Sequence, residues 1–72
     1  MEPLQMLANA IVIQAAKDYR AALRHIRRKP DSKVAQAEIT ELERFFRSEW
    51  YRCLTSVDGE ALMKKLKEET GV

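Results

Sequence analysis

Apolar side chains recur every three or four positions through the first third of the chain, which is the period of one face of an α-helix. This first stripe consists of Leu4, Ala8, Ile11, Ala15, Tyr19, Ala22 and Ile26. Pro3 suits the first turn of a helix, and Pro30 disfavours helical backbone at the residue before it. The pattern therefore predicts one helix over residues 3–29, with a length of about 40 Å.

A second apolar stripe begins after a short turn at residues 29–32, where Asp31 or Ser32 can cap the helix that follows. The stripe consists of Ala35, Ile39, Leu42, Phe46, Trp50 and Cys53. It predicts a second helix over residues 33–54. Because the connection is short, we expect the two helices to form an antiparallel hairpin.

The apolar period breaks at residues 55–59, and a third, shorter helix is expected over residues 56–69. Thr55 and Asp58 resemble a capping box, with Asp in place of the usual Glu or Gln. Gly71 is expected to end the helix, because glycine readily adopts the left-handed backbone of a C-terminal cap. The side chains expected to face inward are those of Val57, Leu62 and Leu66.

These elements predict a single all-α domain over residues 1–72, built as a long helical hairpin with a short third helix. A helix of about twelve residues spans only ~18 Å and cannot cover both long helices. A core this small usually needs an additional source of stability. Cys53 is the only cysteine and His25 the only histidine, so neither an intrachain disulfide nor a metal site is expected. Dimerisation, giving an antiparallel four-helix-type core, or a different protein is expected to cover the remaining apolar surface.

The positive charge of the chain is concentrated in one segment. Residues 17–33 carry a net charge of +5, whereas the whole chain carries +2. The basic side chains that fall near the end of the predicted first helix are Arg20, Arg24, Arg27, Arg28 and Lys29. Guanidinium groups suit phosphates and carboxylates, so this set is a candidate contact for nucleic acid or an acidic partner. The alternative is a solvated helix face whose charges favour the helix C-terminus.

Four of the five aromatic residues lie within residues 45–51. A helix turns these side chains toward more than one direction, so at least one aromatic is expected outside the hairpin core. Tryptophan and tyrosine are frequent anchors of protein interfaces. The candidate interface residues are Phe45, Trp50, Tyr51, Ile11 and Ala15. The alternative is that the aromatics, Phe46 and Trp50 above all, simply pack the core.

No set of residues is typical of catalysis or of cofactor binding. The carboxylates have no accompanying nucleophile, glycine-rich phosphate loop or metal-ligand set. Cys53 lies on the second apolar stripe, where a buried and unreactive thiol is expected. We therefore expect no enzyme, no cofactor and no metal. The lack of a signal-peptide pattern and of an apolar run of about 20 residues favours a cytoplasmic protein with no membrane association.

Part of the sequence resembles a known group of proteins. Residues 45–51 read Phe-Phe-Arg-Ser-Glu-Trp-Tyr, and Leu-Thr at 54–55, Asp-Gly-Glu at 58–60 and leucines at 62 and 66 follow. This pattern resembles short uncharacterised proteins encoded in phages, prophages and integrative elements of Gram-positive bacteria. Residues 10–19 and the basic segment are compatible with the same group. The resemblance implies no catalytic residues, and it implies a setting of accessory factors, regulators or inhibitors of host defence enzymes.

Three hypotheses follow for function. The first is a non-enzymatic helical interaction module, most simply a homodimer, that buries its aromatic segment and remaining apolar stripe against a protein. The second is an accessory factor that binds nucleic acid through the basic end of the first helix. The third is an inhibitor of a host defence enzyme. The third is less natural as a mimic of nucleic acid, since such mimics are usually acidic and this chain is basic.

Overall fold

The computed structural model describes residues 3–72, and the elements in this range are helices only. They are α1 (Pro3–Arg28), α2 (Lys33–Phe46), α3 (Glu49–Leu54) and α4 (Gly59–Thr70). The all-α prediction, with a long first helix packed in a hairpin against the second, is confirmed.

The turn between α1 and α2 forms as its residues predict. Helix α1 ends at Arg28, two residues before Pro30, and the Lys29 amide donates to the carbonyl of His25 at 2.9 Å. Ser32 caps α2, since its hydroxyl accepts from the amide of Ala35 at 3.2 Å. That bond satisfies one of the amides that the first turn of a helix leaves without a partner.

The predicted second helix over 33–54 is two helices, and the break lies at Ser48. The Ser48 backbone is extended, and its hydroxyl donates to the carbonyl of Phe45 at 2.6 Å and accepts from the amide of Tyr51 at 3.1 Å. One side chain therefore ends α2 and caps α3. Serine competes in this way with helical hydrogen bonds, and here that competition overrides the helical apolar period.

The break changes which side chains face the core. Tyr51 is buried, whereas Trp50 is 59% exposed and the thiol of Cys53 is also exposed. The alternative that Trp50 packs in the core was therefore wrong, as was the expectation that Cys53 is buried. An uninterrupted helix would have kept both on the stripe of Phe46, but the extended residue at 48 rotates the following turn.

Helix α4 begins three residues later than predicted. Asp58 is its cap and accepts from the amide of Glu60 at 3.2 Å, whereas the Thr55 hydroxyl accepts from Val57 within the loop. The capping box at Thr55 was therefore wrong, and Val57, which was expected inside, is exposed. A side chain at Gly59 would collide with the carbonyl oxygen of Phe46, so glycine lets α4 approach the end of α2 closely.

Helix α4 ends as predicted at Gly71, which has a left-handed φ of 75°. It carries Met63 and Leu66 into the core, and Leu62 is half-buried. The buried apolar residues are Ala15, Tyr19, Ala22, Leu23, Ala35, Phe46, Tyr51, Met63 and Leu66. Tyr19, Phe45, Phe46 and Tyr51 form an aromatic cluster whose ring centroids lie 5.5–5.7 Å apart in tilted or edge-to-face pairs. Such pairs add stability beyond the area they bury.

The core occupies one part of an elongated molecule measuring 42 × 20 × 18 Å. The first of the buried apolar residues on α1 is Ala15, so all of them lie from the middle of the helix onward. Helix α2 has 14 residues against the 26 of α1 and cannot match its length. The first turns of α1 consequently extend past the helices that cover the rest of it.

Candidate protein-interaction surface

The first half of α1 has no charged residue from 3 to 16, and much of its apolar surface is open. Leu4 is 78% exposed, and Met6, Leu7 and Ile13 are each more than half exposed. Trp50 of α3 is exposed beside this part of the helix. We call Leu4, Leu7 and Trp50 the apolar end, since Met6 and Ile13 lie on the other side of the helix. A helix segment that is apolar on most sides is ordinarily buried, and the apolar end is not.

A shallow groove of about 330 Å³ adjoins the apolar end. It lies between α1 and the helices α2 and α3, and Trp50 stands on its edge with its ring 5.6 Å from that of Phe45. We call it the apolar groove, and its lining residues are Ile11, Gln14, Ala15, Asp18, Leu42, Phe45 and Trp50. Grooves with apolar walls and few polar groups are the usual receptors for an apolar helix face.

A second recess of about 540 Å³ continues the apolar groove, with which it shares Asp18 and Leu42. Its other lining residues include Glu38 and Glu41 of α2. We call it the acidic recess. Three carboxylates, of which Glu41 pairs with Arg44, therefore border an otherwise apolar recess on this side of the molecule.

The predicted interface residues divide between surface and core. Trp50, Phe45 and Ile11 come together at the apolar groove. Ala15 is 8% exposed and Tyr51 is 1% exposed, so both lie mainly within the folded chain.

Leu4, Met6 and Leu7 were not among the predicted interface residues, although Leu4 lay on the first stripe. The signal that could have identified them was the length of the helices. A helix of 26 residues paired with shorter ones must leave a segment uncovered, and the uncharged segment is the first half of α1.

The five predicted basic residues fall into two groups, and the two residues of the first group form polar contacts with α4. Arg20 forms an ion pair with Glu69 at 3.0 Å. The guanidinium of Arg27 donates to the carbonyl of Thr70 at 3.0 Å, next to the end of α4. Arg27 thereby satisfies a carbonyl that the helix leaves without a partner. These two arginines connect α1 to α4, a contact that neither the nucleic-acid hypothesis nor the solvated helix face predicted.

The other three, Arg24, Arg28 and Lys29, form what we call the basic end. All three are exposed, and among residues 3–72 no carboxylate lies within 4 Å of them. Arg24 and Arg28, together with Arg27, Glu69 and Thr70, line an open recess of about 440 Å³. Glu69 is already paired with Arg20, so it compensates little of the charge here.

Glu43 lies at the centre of a polar network that links three helices. It accepts from the hydroxyl of the fully buried Tyr19 at 2.7 Å and lies 3.5 Å from Lys67 and 3.7 Å from Arg47. Burial first, and then the hydrogen bond to Glu43, raises the pKa of Tyr19. Arg47 also pairs with Glu60, and that hydrogen bond lowers the pKa of Glu60. The network joins α1, α2 and α4 around the core.

Within residues 3–72, no three metal-ligating side chains are grouped as a metal site requires. In the same range, no helix combines the length and the apolar character needed to cross a membrane. No protein-family model matches the chain, and neither the curated proteins nor the solved structures contain a match to it.

Proposed function

We propose that this chain is a non-enzymatic helical protein-interaction module that self-associates as a dimer through its apolar end. The observation that carries the proposal is the exposure of three large apolar side chains, Leu4, Leu7 and Trp50, at one end of the molecule beside an apolar groove. Contiguous exposed apolar surface of this kind marks interaction sites in small proteins. The aromatic anchor Trp50 at the groove edge supports the same use.

Sedimentation velocity over the micromolar range tests the proposal. We expect dimers for the parent chain. A double variant, Leu4→Glu with Leu7→Glu, is expected to sediment as a folded monomer, because it places charge on the apolar end without removing a core residue. Val34→Glu is the matched control, since Val34 is 63% exposed on α2 outside the apolar end. A folded parent monomer throughout this range would contradict the proposal.

A second candidate function, binding of nucleic acid, is favoured by the basic end. Three exposed cations without a carboxylate partner can displace counterions from phosphates, which gives a log-log salt slope of about −3 per patch on duplex DNA. We expect Arg24→Glu with Arg28→Glu to abolish any binding measured by fluorescence anisotropy at low salt. Arg44→Glu is the control, because Arg44 is an exposed arginine of α2. If the parent chain shifts neither DNA nor RNA at low salt, this candidate is excluded.

The setting we propose is the cytoplasm of a bacterium that carries a phage or integrative element. Support for it comes from the sequence resemblance of residues 45–51 and the leucine pattern after them. Neighbouring genes test the setting directly. Genes for recombination or replication beside this one would agree with an accessory role, and genes for host defence inhibitors would favour the third hypothesis.

A further inference from the structure

We infer that the second copy docks antiparallel along α1, with the twofold axis near Ala8, so that Leu4 of each copy enters the apolar groove of the other. The inference rests on the self-association proposed above and adds its orientation and register. A twofold interface places the same surface on both copies, so every contact occurs twice.

The surface area of the chain is consistent with a second copy as the occupant. A monomer of 8.4 kDa is expected to expose about 4,600 Å², and this chain exposes 5317 Å². The excess of roughly 700 Å² is close to the ~800 Å² that each partner buries in a stable interface of standard size. The first stripe of α1 runs from the exposed Leu4 to the buried Ala15, so a partner on the uncovered half would extend the core.

The distribution of charge favours the antiparallel orientation. Residues 3–16 are uncharged, so two copies can bring them together without opposing like charges. Residues 17–33, which carry a net charge of +5, follow this uncharged segment along the chain. A parallel pair would place both of these segments side by side, where like charges repel. An antiparallel pair centred on the apolar end moves them to opposite ends of the dimer.

The register follows from the helical period and the position of the groove. Leu4, Leu7 and Ile11 are spaced by three and four residues and share one side of α1. With the axis near Ala8, Leu4 lies opposite the partner's Ile11, at the mouth of the apolar groove beside Trp50. Leu7 lies opposite the partner's Ala8, and the small side chain there allows the helix axes to approach closely.

Disulfide trapping tests the arrangement in a Cys53→Ser background, where the exposed native thiol no longer interferes. Ala8→Cys is expected to form a covalent dimer with itself on mild oxidation, because the two positions meet at the axis. Leu4→Cys should not, because its two copies are about 10 Å apart along the helix, beyond disulfide reach. A mixture of Leu4→Cys and Ile11→Cys chains should give the mixed covalent dimer.

Two further variants keep the test informative when a cysteine chain reacts poorly. Ile13 is nine positions from Leu4, which places it on the opposite side of the helix, so Ile13→Glu should leave the dimer intact while Leu4→Glu dissociates it. Efficient trapping of Leu4→Cys with itself would show a parallel pair and overturn the inference, as would dissociation by Ile13→Glu alone. If dimers persist in sedimentation but trap in another pattern, the arrangement fails and the proposed function stands. A folded monomer would overturn both.

Discussion

At the scale of single residues, the two buried tyrosines make opposite predictions. The hydroxyl of Tyr19 donates to Glu43 at 2.7 Å, whereas that of Tyr51 has no hydrogen-bond partner in the described chain. Tyr19→Phe is therefore expected to lower the free energy of unfolding by about 1 kcal/mol or more, since it removes a hydrogen bond to a charged group. Tyr51→Phe should leave that free energy unchanged or raise it, because it removes a polar atom from an apolar site.

Urea denaturation followed by circular dichroism measures both changes, and each variant serves as the control for the other. The two substitutions remove the same atom from side chains with almost the same exposure. Equal losses in the two variants would show that the bond to Glu43 contributes nothing beyond packing.

The same tyrosines predict a loss of stability at alkaline pH. Burial raises the pKa of Tyr19, with the bond to Glu43 adding to the shift, and burial together with nearby Asp58 raises the pKa of Tyr51. The ordinary tyrosine pKa is about 10. Above that pH the unfolded chain releases these protons before the folded chain does, so the contribution to stability is complete below about pH 10 and falls as pH rises further.

We expect the midpoint of thermal unfolding to fall between about pH 9 and pH 11 less steeply in Tyr19→Phe than in the parent chain. The comparison of the two slopes, rather than either slope alone, isolates the contribution of the tyrosine. Identical slopes would contradict the assignment.

At the scale of the helices, Ser48 decides how the chain is divided. Its hydroxyl accepts from Tyr51 and donates to Phe45, and it thereby orients the aromatic cluster as well as capping α3. Ser48→Ala is expected to lower the free energy of unfolding by about 1–2 kcal/mol, the cost of losing a helix cap. Thermal denaturation measures it, with exposed Ser56→Ala as the control. Equal stability of the two variants would mean that the break forms without the serine.

The sequence predicts those helix boundaries that are determined by residues close to them in the chain. Pro30, Ser32 and Gly71 act on their own neighbours, and the ends of α1, the start of α2 and the end of α4 were predicted within one or two residues. The break at Ser48 was missed because serine is tolerated within a helix and becomes a cap only where the break improves core packing. Here the break allows Tyr51 to be buried.

The same distinction, between local signals and tertiary packing, explains which residues of the candidate surface were predicted. The uncharged first half of α1 and the aromatic segment are visible in the sequence. Which of their side chains remain exposed depends on the length of α2 relative to α1 and on the break at 48. For that reason the prediction included Trp50, Phe45 and Ile11, which line the groove, but also Tyr51, which the fold buries. Ion pairing of Arg20 with Glu69 likewise depends on where α4 docks.

At the scale of the whole molecule, the elongated shape of the chain and its proposed dimerisation involve the same segment, the first half of α1. A domain of 72 residues has an expected radius of gyration of about 11 Å, and the chain measures 12.7 Å because α1 projects beyond the core. An antiparallel partner would cover this projection and extend the apolar layer of one copy into that of the other. Folding and association would then share the same apolar surface, and the stability of the chain would depend on its concentration.

We accordingly expect the midpoint of thermal unfolding of the parent chain to rise by roughly 5–10 °C between about 1 µM and about 100 µM, because each tenfold increase adds about 1.4 kcal/mol per dimer. Circular dichroism in cells of different path length measures this directly. The Leu4→Glu and Leu7→Glu double variant should melt at the lower temperature at both concentrations, since charge on the apolar end prevents docking while the core around Tyr19 is intact. Val34→Glu should retain the dependence of the parent. A parent midpoint that does not change with concentration, in a chain that melts cooperatively, would show that the monomer is stable without covering its apolar end.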